Sequence, residues 1–223
     1  RWINSHFRLS PITINDFTSE IKIKLYNPSI LKINKTDILI AGCGTGQQSI
    51  NAATLYKNSN VLAIDLSISS LKYAKRKTEE LGLKNINYLE CDILNLKSLD
   101  RKFDIIECVG VLHHMSELFQ GWSILKDCLK DAGLMNIGLY SKCARREINN
   151  LRKEIGRKKI KNNCIEIKSY RSLLMKDLSK KIGWLTHTQD FYSTSMFRDL
   201  LFHQFEKQLS LIEIKDFIQK LGL

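Results

Sequence analysis

Asp37-Ile38-Leu39-Ile40-Ala41-Gly42-Cys43-Gly44-Thr45-Gly46-Gln47-Gln48 opens as an apolar strand and runs directly into three alternate glycines and the start of a helix. A glycine lacks the Cβ that would forbid tight backbone angles, so such a turn can lie flat against a ligand. The helix behind it offers unpaired N–H groups and the positive end of its dipole to an anion. A dinucleotide loop favours G-x-G-x-x-G with a pyrophosphate above the helix start, whereas here the spacing is G-x-G-x-G and Gln47 takes the place of the last glycine. That spacing favours an amino acid carboxylate joined to a nucleoside over a pyrophosphate.

Working outward, apolar runs alternate with helical patterns from about residue 37 to residue 141, the sequence form of βαβ units. The expected strands are Asp37–Ala41, Asn60–Asp65, Ile86–Cys91, Phe103–Val109 and Gly133–Tyr140, apolar on both faces as for a parallel sheet covered by helices on each side. Leu71, Ala74, Thr78 and Leu81 recur at helical spacing between the second and third runs, with Ser67 as N-cap and Gly82 as terminator. A second crossover helix is expected over Ser116–Leu129, ending before an Asp131–Gly133 turn. The fold class is therefore α/β, a three-layer αβα Rossmann-like sandwich.

Three regions follow: a helical flank over 1–36 with a helix at Ile14–Tyr26, the ligand-binding core over 37–141, and a helical cap with C-terminal helices over 142–223. Lys142–Lys181 reads as helical and basic, interrupted at Asn162-Asn163, and is expected to cover the ligand-binding end of the sheet. The final helix carries a capping box, Ser210-Leu211-Ile212-Glu213, and ends near Gly222. The chain begins at Arg1 rather than a methionine and reads as a piece of something longer.

An acid is expected near the end of the second strand to accept from ribose hydroxyls, and Asp65 stands 19 residues after Gly46. A helix N-cap is the alternative role for it. Asp92, with Ile93 beside it, follows the third strand where a carboxylate meets an adenine amino group; a surface turn is the alternative there.

The 223 residues suit one ordinary domain, and 43% apolar with 26% charged residues exclude wholesale disorder. No apolar run approaches the ~20 residues that cross a bilayer, so no membrane association is expected and the default compartment is the cytoplasm. The six cysteines form no C-x-x-C pair, and no metal site is expected. The net charge of +12 raises nucleic-acid binding, but lysine accompanies isoleucine and asparagine along the whole chain, which reads as a general bias rather than a patch.

Over Thr36–Ser141 the chain resembles the class I S-adenosylmethionine-dependent methyltransferases. Ile38–Gly46 is similar to that family's first motif, Asp65 to its ribose-binding acid, Cys91-Asp92-Ile93 to its adenine contact, and Val109-Gly110-Val111-Leu112-His113-His114-Met115 to the segment after its fourth strand. The resemblance implies that Gly42, Cys43, Gly44, Thr45, Gly46, Gln47, Asp65, Leu66, Asp92, Ile93 and Val109 hold S-adenosyl-L-methionine, with S-adenosyl-L-homocysteine as product. It further implies a sheet of order 3-2-1-4-5, with the family's strands 6 and 7 absent from this fragment. Leu62–Lys77, Asp190–Ser195 and Arg198–His203 resemble a bacterial group in which this domain follows tetratricopeptide repeats, which would bind another protein.

Methyl transfer from a sulfonium asks mainly for alignment and exclusion of water. Where the acceptor carries a proton, a base is needed, and His113 and His114 are the candidates, of which at most one can face the acceptor. Tyr140 at the end of the fifth strand, with Tyr192 and Ser193, is the candidate acceptor pocket, with ordinary packing as the alternative. The cluster Arg145, Arg146, Arg152, Lys153, Arg157, Lys158 and Lys159 either binds an anionic acceptor or is solvated. The acceptor is expected to be a small molecule or a protein- or glycan-linked group. The alternatives are a nucleic-acid methyltransferase, disfavoured because no Asn-Pro-Pro-aromatic run follows the fourth strand, a non-catalytic cofactor-binding module, and a nicotinamide-dependent oxidoreductase.

Overall fold

The computed structural model describes residues 34–176, 184–203 and 205–223. The helix expected over Ile14–Tyr26 lies outside the described residues. Two compact units meet in sequence between Leu139 and Tyr140; the first holds the sheet and the second runs Tyr140–Gln219.

In the first unit the order is β1 (Thr36–Ala41), α1 (Gln47–Leu55), β2 (Ser59–Asp65), α2 (Ile68–Glu80), β3 (Ile86–Glu90), a 3-10 turn (Ile93–Leu99), β4 (Phe103–Val109), a second 3-10 turn (Leu112–His114), α3 (Leu118–Asp127) and β5 (Leu129–Gly138). The five strands form one sheet in the order β3-β2-β1-β4-β5. All four pairings are parallel, with Ile40 of β1 opposite Ala63 on one side and Glu107 on the other. This is the expected Rossmann-like order.

Alternation along the strands sends side chains to both faces. Ile38, Ile40, Val61, Ala63 and Ile105 pack with Ala52, Ala53 and Tyr56 of the α1 region and Leu71 of α2. Leu39, Leu62, Ile64 and Ile106, on the intervening positions, are buried as well. Each such leucine or isoleucine contributes about 1.5–3 kcal/mol on burial, so the middles of the central strands are apolar on both faces. β3 and β5 are only partly buried, contrary to the expectation of five equally covered strands. They are the two ends of the strand order and, among the described residues, have a neighbouring strand on one side only.

The caps follow local chemistry. Ser67 Oγ accepts from Ser70 N, and α2 ends with Gly82 N donating to Glu79 O and Leu83 N to Thr78 O, the paired bonds of a glycine-terminated helix. β5 departs from expectation: it starts at Leu129, where a helix and then a turn were expected, and ends at Gly138. The register jumps from Phe103↔Leu129 to Ile105↔Leu134, so residues 130–133 form a bulge inside the strand. Lys130 in that bulge is 2.9 Å from Asp104 Oδ2 and 3.4 Å from Asp37 Oδ2, and Asp37 N donates to Asp104 at 2.8 Å. This network ties together β1, β4 and β5.

In the second unit come β6 (Tyr140–Ser141), α4 (Arg146–Arg157), α5 (Cys164–Lys176), a 3-10 turn (Leu185–His187), α6 (Gln189–Tyr192), α7 (Thr194–Phe202), β7 (Gln208–Leu209) and α8 (Leu211–Lys220). β6 and β7 pair in parallel, a contact that no sequence pattern announced. Ile148, Leu151 and Ile155 of α4 pack with Ile167, Tyr170 and Leu174 of α5 and with Phe191, Phe197 and Leu201. The interruption at Asn162-Asn163 is a cap for α5: Glu166 N donates to Asn163 Oδ1 at 2.9 Å while Glu166 accepts from Lys161 N. The expected box at Ser210 is present too, with Ser210 N donating to Glu213 at 2.7 Å and Glu213 N to Ser210 Oγ. Hydrogen bonds from Lys142 and from Ser210 hold the Glu213 carboxyl down to about 2. Among the described residues no helix is long and apolar enough to cross a membrane.

Two measurements check this construction. Asp104, 2% exposed, accepts from a backbone N–H and a lysine; Asp104→Ala strands both donors and is expected to cost about 2–4 kcal/mol in urea denaturation. Glu107 on β4 accepts from Gln48 Nε2 at 2.8 Å, and burial raises its carboxyl above the ordinary range. The unfolded chain loses this proton first, so the penalty is absent below the unfolded value of ~4.3, grows above it and levels off beyond the raised folded value. Glu107→Gln is thus expected to be more stable than the parent at neutral pH and equal to it below about pH 4, and equal stabilities at neutral pH would contradict this assignment.

Candidate functional site

The turn after β1 is fixed from below. Gly42 N and Cys43 N both donate to Ile64 O, at 2.8 and 2.9 Å, and Gly46 N closes back on Cys43 O at 2.9 Å. The three glycines serve different needs. A Cβ on Gly42 would stand 2.2 Å from Val111 Cγ2, and one on Gly46 would stand 2.5 Å from Ala74 Cβ, whereas one on Gly44 would meet nothing within 4 Å. Two glycines therefore let the loop seat against β4's following segment and against α2, and the third leaves an open side. Gly46 is the N-cap of α1 and no side chain caps that helix, so its first-turn N–H groups and positive dipole end are unfilled by side chains.

Asp65 ends β2 and joins this loop to the next helix. Its Oδ2 accepts from Gly44 N at 2.7 Å and its Oδ1 from Ser67 N at 2.8 Å. The carboxylate holds the loop across the strand ends and also organises the start of α2. Asp92 Oδ1 accepts from Leu94 N at 2.9 Å and caps the 3-10 turn after β3.

A cavity of about 350 Å³ opens beside these groups. Of the residues expected at a cofactor site, Gly42, Asp65, Leu66, Asp92 and Ile93 line it. Gly44, Gly46, Cys43, Thr45, Gln47 and Val109 do not: Cys43 and Gly46 are buried in the loop, Thr45 and Gln47 are exposed, and Val109 is the last residue of β4 with the wall formed by the next residues instead. Burial, with the Asp65 charge adding to it, pushes the Cys43 thiol up to about 12, so it is an inert packing group. Cys91, Leu94, Gly110, Val111, Met115 and Ser116 complete the lining. Cys91, Gly110, Val111 and Met115 belong to the two motifs quoted from the sequence without being named there as individual cofactor contacts, whereas nothing local to Leu94 or Ser116 marks them.

The histidines separate. His114 lines the cavity, whereas His113 is 1% exposed and meets the His114 ring edge-on with centroids 4.2 Å apart. The short 3-10 turn Leu112–His114 aims consecutive side chains in different directions.

Tyr140, Tyr192 and Ser193 belong to the second unit. Tyr140 does not end the fifth strand, because Val109↔Gly138 is the last β4–β5 pair and β4 stops there, leaving nothing to pair with beyond it. Tyr140 instead pairs with Gln208, and the Arg145 guanidinium lies 3.4 Å from its ring centroid. It lines a cavity of about 360 Å³ with Asp190, Ser195, Met196, Asp199 and Leu200. Tyr192 is exposed and Ser193 caps α7 through Met196 N; neither lines that cavity.

A family model described as a methyltransferase domain matches residues 34–199. An uncharacterized protein of Synechococcus sp. is 31% identical over 125 residues, covering 56% of this chain and 30% of that protein. The probable (S)-tetrahydroprotoberberine N-methyltransferase 2 of Papaver bracteatum is 32% identical over 81 residues, covering 36% of this chain and 22% of its own. Among solved structures, PKMT2 from Rickettsia typhi is similar with a TM-score of 0.71 at 20% identity, covering 88% of this chain and 40% of that one. The same protein has been solved with AdoHcy, at a TM-score of 0.66. That likeness shows a shared fold. The chain spans less than half the length of each of these proteins. With the family match extending over most of its length, glycine turn and cavity included, the chain belongs to the methyltransferase-domain family.

Proposed function

We propose that this chain binds S-adenosyl-L-methionine in the cavity of the first unit and transfers its methyl group to an acceptor, a small molecule or a protein- or glycan-linked group. The observation that carries the reading is where the cavity lies. Its walls come from the ends of β1 (Gly42), β2 (Asp65), β3 (Asp92) and the segment after β4 (Gly110, Val111, His114). The order β3-β2-β1-β4-β5 reverses between β1 and β4, and open α/β sheets bind ligands in the crevice beyond their strand ends at such a point.

The residues suit the cofactor. On the cavity wall Ile93, Leu94 and Met115 offer an apolar slot for a flat base, and Asp65 and Asp92 offer acceptors for hydroxyl and amino donors; the uncapped start of α1, which is not itself on that wall, offers N–H groups to a carboxylate. The cofactor, when bound, supplies an activated methyl whose departure leaves S-adenosyl-L-homocysteine. The chain's own part is to hold the two reactants in line and keep water out. Asp65 keeps its place through Gly44 N and Ser67 N and so presents a fixed carboxylate edge. His114, on the cavity wall, takes the acceptor's proton where the acceptor carries one. His113, buried against it, is read as positioning that ring. Gly44, Gly46, Cys43, Thr45 and Gln47 act through the loop's backbone. Tyr140 is read with the second unit's own cavity rather than with this one.

Support from relatives is of the same kind. The Papaver relative is named as an N-methyltransferase and PKMT2 was solved with AdoHcy. The proposal places the protein in the cytoplasm and, for the whole protein, keeps the upstream tetratricopeptide repeats and their protein partner that the sequence resemblance implies.

Calorimetric titration with S-adenosyl-L-methionine and S-adenosyl-L-homocysteine tests it, with one-to-one binding expected and none of NAD or NADP. Asp65→Ala removes the acceptor at the end of β2 and is expected to weaken binding by about 10- to 100-fold. Absence of binding in a folded parent would overturn the reading. His114→Ala is expected to leave homocysteine-product affinity within about threefold while lowering turnover of a protonated acceptor by about 10²–10⁴. Binding that persists without turnover on any amine, hydroxyl or carbon acid would instead mark a non-catalytic module.

A further inference from the structure

The chain's positive charge is unevenly divided. The second unit, Tyr140–Gln219, holds 17 Lys and Arg against nine Asp and Glu, a net +8 of the chain's +12, in little more than a third of its length. Within it the structure sorts the basic residues of α4 and its N-cap, Arg145, into two sets. Arg145 and Arg152 turn inward to Glu206, whose side chain is 1% exposed, at 3.5 and 2.8 Å, and Arg152 also donates to Leu200 O. The side chains of Arg146, Lys153 and Arg157 are exposed and, among the described residues, take part in no hydrogen bond or ion pair.

The outward set is aligned. Arg146, Asn150, Lys153 and Arg157 follow one another at steps of four, three and four, which at about 100° per residue places them in a sector about 60° wide. The sector lies opposite Ile148, Leu151 and Ile155, the residues that bury α4. It runs for about 16 Å along the helix. Asn150, Lys153, exposed Gly156 and Arg157 line an open groove of about 660 Å³ on it. Lys159 and Lys161, also exposed, continue the charge beyond the helix end.

We propose that this face of α4 docks an acidic, extended peptide segment of another protein. Charge complementarity names an anion, and three features select a peptide. The row is one side chain wide and is bordered on one side by Glu147, which repels the second phosphate row of a duplex, and by Glu154, which is paired with Lys158 at 2.6 Å. It contains no aromatic ring on which single-stranded bases could stack. It contains no apolar side chain to enter a bilayer. An extended chain brings alternate carboxylates to one side about 6.7 Å apart, close to the step of about 6 Å between Lys153 and Arg157. The proposal concerns binding by the second unit alone and stands or falls independently of the methyl-transfer reading.

The test is fluorescence anisotropy of the 223-residue chain with a labelled twelve-residue peptide alternating Glu and Ser, at low salt. The expected result is saturable binding that falls steeply with added salt, weakens at least tenfold in R146Q/K153Q/R157Q, and is nearly unchanged in K72Q/K75Q/K84Q, which removes as much charge from the first unit. The reversed variant R146E/K153E/R157E is expected to lose the acidic peptide and gain an alternating Lys and Ser one, a result that misfolding cannot produce. Equal weakening by the two glutamine triples would reduce the effect to overall charge and overturn the proposal. So would no binding, or tighter binding of a twelve-nucleotide oligonucleotide than of the peptide through the same three residues.

Discussion

The bond from Gly44 N to Asp65 Oδ2, 2.7 Å long, joins the loop after β1 to the end of β2. It becomes possible only because β1 and β2 are parallel and in register from Thr36↔Ser59 to Ala41↔Ile64, which brings both strand ends to the same edge of the sheet. The two donations to Ile64 O set the loop's height, Gly42 lets Val111 approach, and Gly46 lets α1 pack beside Ala74. Small departures in any of these would move the carboxylate, the loop and the start of α1 together. The site is thus a property of parallel register as much as of its residues.

Electrostatics divide the chain along similar lines. In the first unit several charges sit at fixed places in the fold: Asp104 and Lys130 tie strands, Glu107 meets Gln48, and Asp65 meets two N–H groups. In the second unit a buried glutamate neutralises two arginines while a row of unpaired cations remains on the surface. Burial makes the difference, since an ion inside the protein must be paired to be tolerated and one in water need not be.

Much of the fold was legible because βαβ units write their signature locally. The central strands are apolar on both faces, and the caps at Ser67, Gly82 and Ser210 involve residues three to five apart. β5 was misplaced because its start depends on Asp104 and Asp37, far away in sequence, which hold Lys130 in a bulge. The pairing of Tyr140 with Gln208 is equally non-local. In the site, the glycine spacing and Asp65 could be read directly, whereas Leu94, Met115 and Ser116 became wall residues only through the path of the turns that follow β3 and β4.

Sequence alone determined the class of fold, the strand order through its resemblance, and the loop-plus-acid pair, because those depend on periodicity and on glycine's freedom from a Cβ. Tertiary structure decided which histidine reaches the cavity, that Asp65 clamps the loop as well as facing the pocket, and which arginines of α4 point outward. A side chain's direction and partner are set by what packs against it, and that information is spread over residues tens of positions away.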